Sequence, residues 1–263
     1  MKQPASIYAF MAITLFLAAS CTKTRLRPEG TASLTLINAV VGADSLVTNF
    51  NNSATLPGYY INANLIVYNN YGSGPYSVNN YQLSAYAGNQ QLMLYKVPDT
   101  LPKSEPLYDL TLDLPVGSIN TLFMTGTTAA PDTLFTRDYP RNHPVSDSVT
   151  GIRFVNLSPG SQPISINIHG GPPGSEIRSI PYKGITSFKD YPATHEISSY
   201  TFEFRDAATG ELLASFLADG ININGSGTLE SNKWRYRNCT LALLGLPGGS
   251  GATAQTVLLI NNY

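Results

Sequence analysis

The sequence predicts an all-β chain: two tandem antiparallel β-sandwiches behind an export signal. Three observations carry that prediction. Short strand-like runs are separated by Gly, Pro and Asn clusters; helical periodicity never lasts three turns; and anchors of the second half follow those of the first at a constant spacing.

The first 20 residues are read as signal rather than fold. Lys2 supplies a positive start, Ile7 to Leu17 is almost wholly apolar, and Ala18-Ala19-Ser20 are the small residues that signal cleavage needs. The apolar run is well short of the roughly 20 residues of a membrane-spanning helix. Cys21 stands directly behind it. The segment resembles a bacterial lipoprotein signal, with the loose box of Bacteroidota, and that resemblance implies that the Cys21 thiol receives lipid and becomes the new N-terminus. Ordinary secretion after Ser20 is the alternative; it would leave an unpaired thiol in an oxidising compartment, where such thiols are disfavoured. Residues 21–30, with Lys23, Arg25 and Arg27, are then a lipid-anchored tether.

Beyond the tether the β-rich runs come in order: "SLTLINAVV", "LVTNF", "NLIVYNN", "YQLSAYA", "LMLYKV" and "LYDLTLDL", then "IRFVNL", "ISINIH", "YTFEFR", "LLASFL" and "TVLLIN". In "YTFEFR" Tyr200, Phe202 and Phe204 alternate with Thr201, Glu203 and Arg205, and Ile164, Ile166 and Ile168 alternate with Ser165, Asn167 and His169. This is the pattern of half-buried antiparallel strands. Asn156 follows Asn38 by 118 residues, while Tyr200 follows Tyr81, and Gly245 follows Gly126, by 119. The repeat divides the chain into a first sandwich at 31–137, a linker at 138–149 containing Pro140 and Pro144, and a second sandwich at 150–263. The second is expected to fold alone.

The runs "IRFVNLSPGSQPISINIHG", "IPYKGITSFKDYPA", "YTFEFRDAATGELLASF" and "LESNKWRYRNCTLALLG" resemble the extracytoplasmic repeat known as domain of unknown function 4397. The resemblance covers 151–263 well and 31–137 more weakly. It implies Ig-like sandwiches, in a setting where tandem lipoproteins are common, and no shared activity.

Chemistry is sparse. The chain is 43% hydrophobic and 13% charged with a net charge of −1, so nucleic acid is not an electrostatically favoured partner. His143, His169 and His195 have no metal-binding or catalytic spacing, and no phosphate loop or nucleophile elbow occurs. Cys239, in "NCTLALLGL", is expected to be a buried, inert hydrophobe. In "ADGININGSG", Asp219, Asn222 and Asn224 could be read as calcium ligands, but the Asp-Gly and Asn-Gly pairs favour a hairpin turn. Trp234 and Tyr236, flanked by Lys233, Arg235 and Arg237, are expected to alternate into the core of a late strand. No cofactor and no enzymatic activity are expected.

The compositional anomaly is aromatic. Seven of the 16 tyrosines fall between Tyr59 and Tyr86, interleaved with asparagines. Flat apolar faces beside paired amide donors and acceptors suit a glycan or a protein partner, with Tyr59, Tyr60, Tyr71 and Tyr76 as the candidate surface. The alternative is that the tyrosines pack as strand and loop residues. The Asp-Ser/Thr-apolar triplets holding Ser45, Thr100, Thr133 and Ser148 resemble the short O-glycosylation acceptor of Bacteroidota, which implies possible acceptor sites; Asp-Ser and Asp-Thr are also ordinary turn residues. The functional expectation is a non-catalytic envelope lipoprotein, of the outer membrane, that binds a glycan or another envelope protein or serves structurally. A pilus or adhesin subunit with "TVLLINNY" as a displaceable strand is the alternative, and an envelope hydrolase with an acidic pair in a cleft the third.

Overall fold

The computed structural model describes residues 30–51, 65–69, 81–101, 103–223 and 232–262. Its strands are β1 (Thr31–Asn38), β2 (Ser45–Phe50), β3 (Ile66–Val67), β4 (Tyr81–Tyr86), β5 (Gly88–Lys96), β6 (Tyr108–Leu114), β7 (Ile119–Thr127) and β8 (Ala130–Asp138) in the first half. The second half contributes β9 (Val149–Asn156), β10 (Ile164–Ile168), β11 (Ile177–Ile180), β12 (Lys189–Pro192), β13 (Ser199–Asp206), β14 (Leu212–Asp219), β15 (Asn238–Leu244) and β16 (Thr256–Asn261). A single-turn 3-10 element, Gly251–Thr253, precedes β16.

The fold is all-β. Sheet I has the order β4-β1-β7-β8 and sheet II β3-β2-β5-β6; sheet III has β12-β9-β15-β16 and sheet IV β11-β10-β13-β14. The second pair of sheets repeats the first strand for strand. Neighbours pair antiparallel except β1 with β7 and β9 with β15, which are parallel. The arrangement is compatible with the expected tandem β-sandwiches, but the strand order is not that of an immunoglobulin domain. The first strand pairs with the fourth and seventh, whereas in a constant-type immunoglobulin domain it lies beside the second. Which strands become neighbours is set by long-range packing, and periodicity along one strand carries no record of it.

Three apolar layers separate four stacked sheets. Leu34, Leu36, Leu46, Leu92, Leu94 and Leu122 belong to the core between sheets I and II. Ile152, Phe154, Phe202, Phe204 and Trp234 belong to the core between sheets III and IV, with Phe154 edge-on to Phe202 at 5.4 Å between ring centroids. The third layer joins the halves: Ile37, Ala39 and Phe123 of the first meet Val155, Leu157, Ala242, Leu244, Leu258 and Ile260 of the second. Sheets I and III are therefore covered on both faces, which is why β15 is buried at all seven positions, while β14 in outer sheet IV mixes exposed and buried positions. Thr31–Tyr263 forms one compact unit. The two cores expected from the repeat are present, and the layer between them is an addition that the repeat did not announce.

Two strand expectations change in detail. "NLIVYNN" provides only the two-residue β3, and Trp234 lies in a turn rather than a strand. Trp234 is nevertheless in the core, its indole N–H donating to the Asp219 carbonyl at 2.7 Å. Tyr236 has a φ of 65° and does not continue into that core as part of a strand.

Candidate functional site

Cys21, Tyr59, Tyr60, Tyr71 and Tyr76 lie outside the described residues, as does Asn224. Their neighbours are placed. Tyr86 ends β4 and is 65% exposed. Tyr68 follows β3, its hydroxyl is buried without a partner among the described residues, and burial raises its pKa. The glycosylation candidates separate by setting. Thr100 is buried at 5% exposure, so the folded chain does not offer it to a transferase. Ser45 opens β2, Thr133 sits within β8, and Ser148 precedes β9; all three are half-buried.

The remaining candidates are tied into local structure. His169 Nδ1 lies 2.7 Å from Glu203 Oε1, and Arg205 bonds the other carboxylate oxygen at 3.0 Å. His169 and then Arg205 hold the Glu203 carboxyl below the usual range. His195 pairs with Glu196, and His143 meets Asn238. Cys239 is 1% exposed, and burial pushes its thiol up to about 12, so almost none of it is thiolate near neutral pH. Asp219 caps its own turn, its carboxylate accepting the Gly220 N–H at 2.8 Å.

The most developed polar arrangement lies at the seam between the halves. Asp138, at the end of β8, is a buried carboxylate that receives Arg153 Nη1 at 2.7 Å from β9. Thr121 and Thr136 donate to the same carboxylate at 2.5 and 2.9 Å. Arg153 Nε donates to Thr240 Oγ1 at 2.7 Å, and the Thr240 hydroxyl passes the chain on to Asn262 Oδ1. Phe188 covers the guanidinium, whose carbon is 4.6 Å from the ring centroid. The side chains of Arg153 and Asp138 are only 5% and 1% exposed. A pair so deeply desolvated adds little net stability, yet removing one partner would leave the other charge stranded, at about 3–5 kcal/mol.

The loop between β11 and β12 closes this seam from one side. Its Lys183 reaches Asp132 of β8 at 2.8 Å, and Tyr182 lies 3.4 Å from Thr125. Burial pushes the Asp132 carboxyl up, but the Lys183 bond and the Thr133 N–H outweigh it and leave the group below its usual range. Farther along the seam a groove of ≈ 460 Å³ opens, lined by Arg137, Tyr139, Arg141, Arg153, Ser187 and Phe188. A second groove, ≈ 480 Å³, lies at one end of the second sandwich beside Asp206, Glu211 and Gly248. There the Asp206 carboxylate is occupied by the N–H groups of Thr209 and Ala208, each at 2.8 Å, which hold it below the usual range.

Neither the charged seam nor its groove is apparent in the sequence. Arg153 reads there as one alternating residue of "IRFVNL", and Asp138 as the first residue of a linker. The one available signal is that Thr121 and Thr240 are repeat equivalents within apolar strands, where a hydroxyl must find a partner. The chain matches no protein-family model and no curated protein.

Proposed function

We propose that this chain is a lipid-anchored, non-catalytic module of the cell envelope that recognises a glycan or a protein partner through the connections in which its two halves differ. One observation carries this reading. The halves agree strand for strand, yet the connections 51–65 and 68–80 of the first are longer than their equivalents 169–176 and 181–188 in the second. Surface connections tolerate change and carry binding functions on a rigid scaffold. The longer pair holds Tyr59, Tyr60, Tyr71 and Tyr76 among asparagines.

The export signal read over residues 1–20, directly before Cys21, and the resemblance to tandem extracytoplasmic repeats support the envelope location. The pilus reading has less support. Releasing β16 would strip Val257 and Leu259 from one core and Leu258 and Ile260 from the layer between the halves. At about 1.5–3 kcal/mol per buried side chain that is a large cost.

Replacing Tyr59, Tyr60, Tyr71 and Tyr76 together with alanine tests the proposal. Retention on a glycan array or in an envelope pull-down should be lost while the melting temperature stays nearly constant. Retention by the folded variant, or unfolding of the variant, would defeat it.

A further inference from the structure

We propose that the end of the body at which β1 begins rests on a lipid surface, with Tyr86, Val116, Tyr139 and Val145 seated at the headgroup boundary. The proposal rests on the reading of Cys21 as the anchor, and it adds which end of the molecule that anchor turns toward the membrane.

Strand pairing brings the four residues to one end. Thr31 opens β1 and pairs with Tyr86, the last residue of β4. The turn between β6 and β7, which holds Val116, lies beside them, its Gly117 N–H donating to the Thr31 carbonyl at 2.8 Å. Ile119 and Asp138 are partners across β7 and β8, so Tyr139 leaves β8 at this end too. The second half begins at the same end. Asp138 accepts bonds from both Thr121 of β7 and Arg153 of β9, and Thr125 Oγ1 donates to the Leu157 carbonyl at 2.8 Å, so β7 and β9 advance in step. The linker that carries Val145 therefore joins the end of β8 to the start of β9 without leaving this end.

The exposure there is unusual. Tyr86, Val116, Tyr139 and Val145 are 65%, 71%, 77% and 84% exposed, four of the five most exposed large apolar side chains among the described residues. The fifth, Leu101, lies in the loop after β5, at the other end. Apolar side chains scattered singly over a surface need no explanation, but their collection at one end of a body marks a place where something docks.

Reach and chemistry name the occupant. Residues 21–30 are all that separate Cys21 from β1, at most about 35 Å of fully extended chain. The eight residues of β1 alone span about 27 Å, so turning the other end to the bilayer would use most of that length in running back along the body. Tyrosine, with an apolar ring and a polar hydroxyl, collects at the membrane–water boundary. Exposed charges of both signs stand at this end, Lys233 and Arg237 with Asp147 and Glu196, so the apolar side chains rather than a net charge decide the contact. The groove beside Asp206 and Gly248, at the opposite end, then faces away from the membrane.

Amide hydrogen exchange tests the seating. The mature chain is joined through its Cys21 thiol to vesicles of phosphatidylethanolamine and phosphatidylglycerol that carry a maleimide headgroup lipid; Cys239, being buried, does not compete. This linkage supplies the anchor, so a missing effect counts against the seating and not against natural lipidation, which palmitate labelling tests separately. Relative to the free mature chain, amides of 115–118 and 139–148 should exchange about threefold or more slowly on the vesicles, while those of 97–107 and 245–255 keep their rates. Val116→Asp combined with Val145→Asp, both at exposed positions, should return the first set to the free rates and leave the melting temperature unchanged. Unaltered exchange at 115–118 and 139–148, equal slowing at both ends, or slowing that survives in the double variant would overturn the proposal.

Discussion

Asn38 and Asn156, 118 residues apart, do the same work in the two halves. Each accepts the N–H two residues ahead at 3.1 Å, from Val40 and Ser158, and each donates its amide to the third strand of its half, at Ile66 and Ile180. Asn38 also bonds the Ala43 carbonyl at 2.8 Å, where Asn156 uses the Ser161 hydroxyl at 3.0 Å. Both side chains thus tie the end of an inner strand to the opposite sheet, and both are buried.

Asn38→Ala and Asn156→Ala should therefore destabilise the protein alike. Each removes several buried hydrogen bonds and strands their partners, a loss of roughly 2–4 kcal/mol. For a chain of this size that lowers the melting temperature by about 5–15 °C. Thermal unfolding of the two variants checks it, and a loss in one half only would contradict their equivalence.

How much of this could be read in advance differs by element. Most of the strands, the repeat and two of its three anchors were visible, because each rests on local pattern. β8, β11 and β12 were not among the runs read. The Tyr81–Tyr200 anchor fails, since Tyr81 opens β4, the counterpart of β12, whereas Tyr200 lies in β13, the counterpart of β5. Gly126 and Gly245 align for a physical reason: both have positive φ, at 81° and 86°, and a Cβ would lie 2.3 and 2.2 Å from the carbonyl oxygens of Ala130 and Ala254. The strand order and the layer between the halves depend on contacts distant in sequence. A trace of that layer was present all the same. "TLFMTG" and "NCTLALLGL" are continuous apolar runs, as strands buried on both faces should be, whereas "YTFEFR" alternates. The seam was hidden because a lone Arg and a lone Asp in separate strands carry no motif.

Glu203 should titrate with a midpoint below the usual carboxylate range, with His169 the larger cause and Arg205 the next. A depressed folded pKa contributes stability that is complete above the unfolded value and is lost as pH falls through the folded one. His169→Ala should move the midpoint up, toward the unfolded value. NMR titration of the Glu203 side chain measures this directly, and an unmoved midpoint would contradict the pairing.

Cys21→Ala should abolish incorporation of a palmitate analogue and release the protein in soluble form. Cys239, buried and with its thiol pushed up to about 12, should not react with a thiol reagent until the chain unfolds. Equal lipid labelling of wild type and Cys21→Ala would make this a secreted protein rather than an anchored one.

The central claim is that the two repeats form one body, leaving recognition to the connections that differ. Ile37, Phe123, Val155, Leu258 and Ile260 would become an exposed apolar face if the halves parted, and Arg153 and Asp138 would lose each other. Large hydrophobic interfaces couple the domains that share them. Differential scanning calorimetry of the mature chain, without its lipid, is the most direct measurement. One transition with equal calorimetric and van't Hoff enthalpies is the predicted result. Two separated transitions, each carrying about half the enthalpy, would show that the halves are independent and contradict the account.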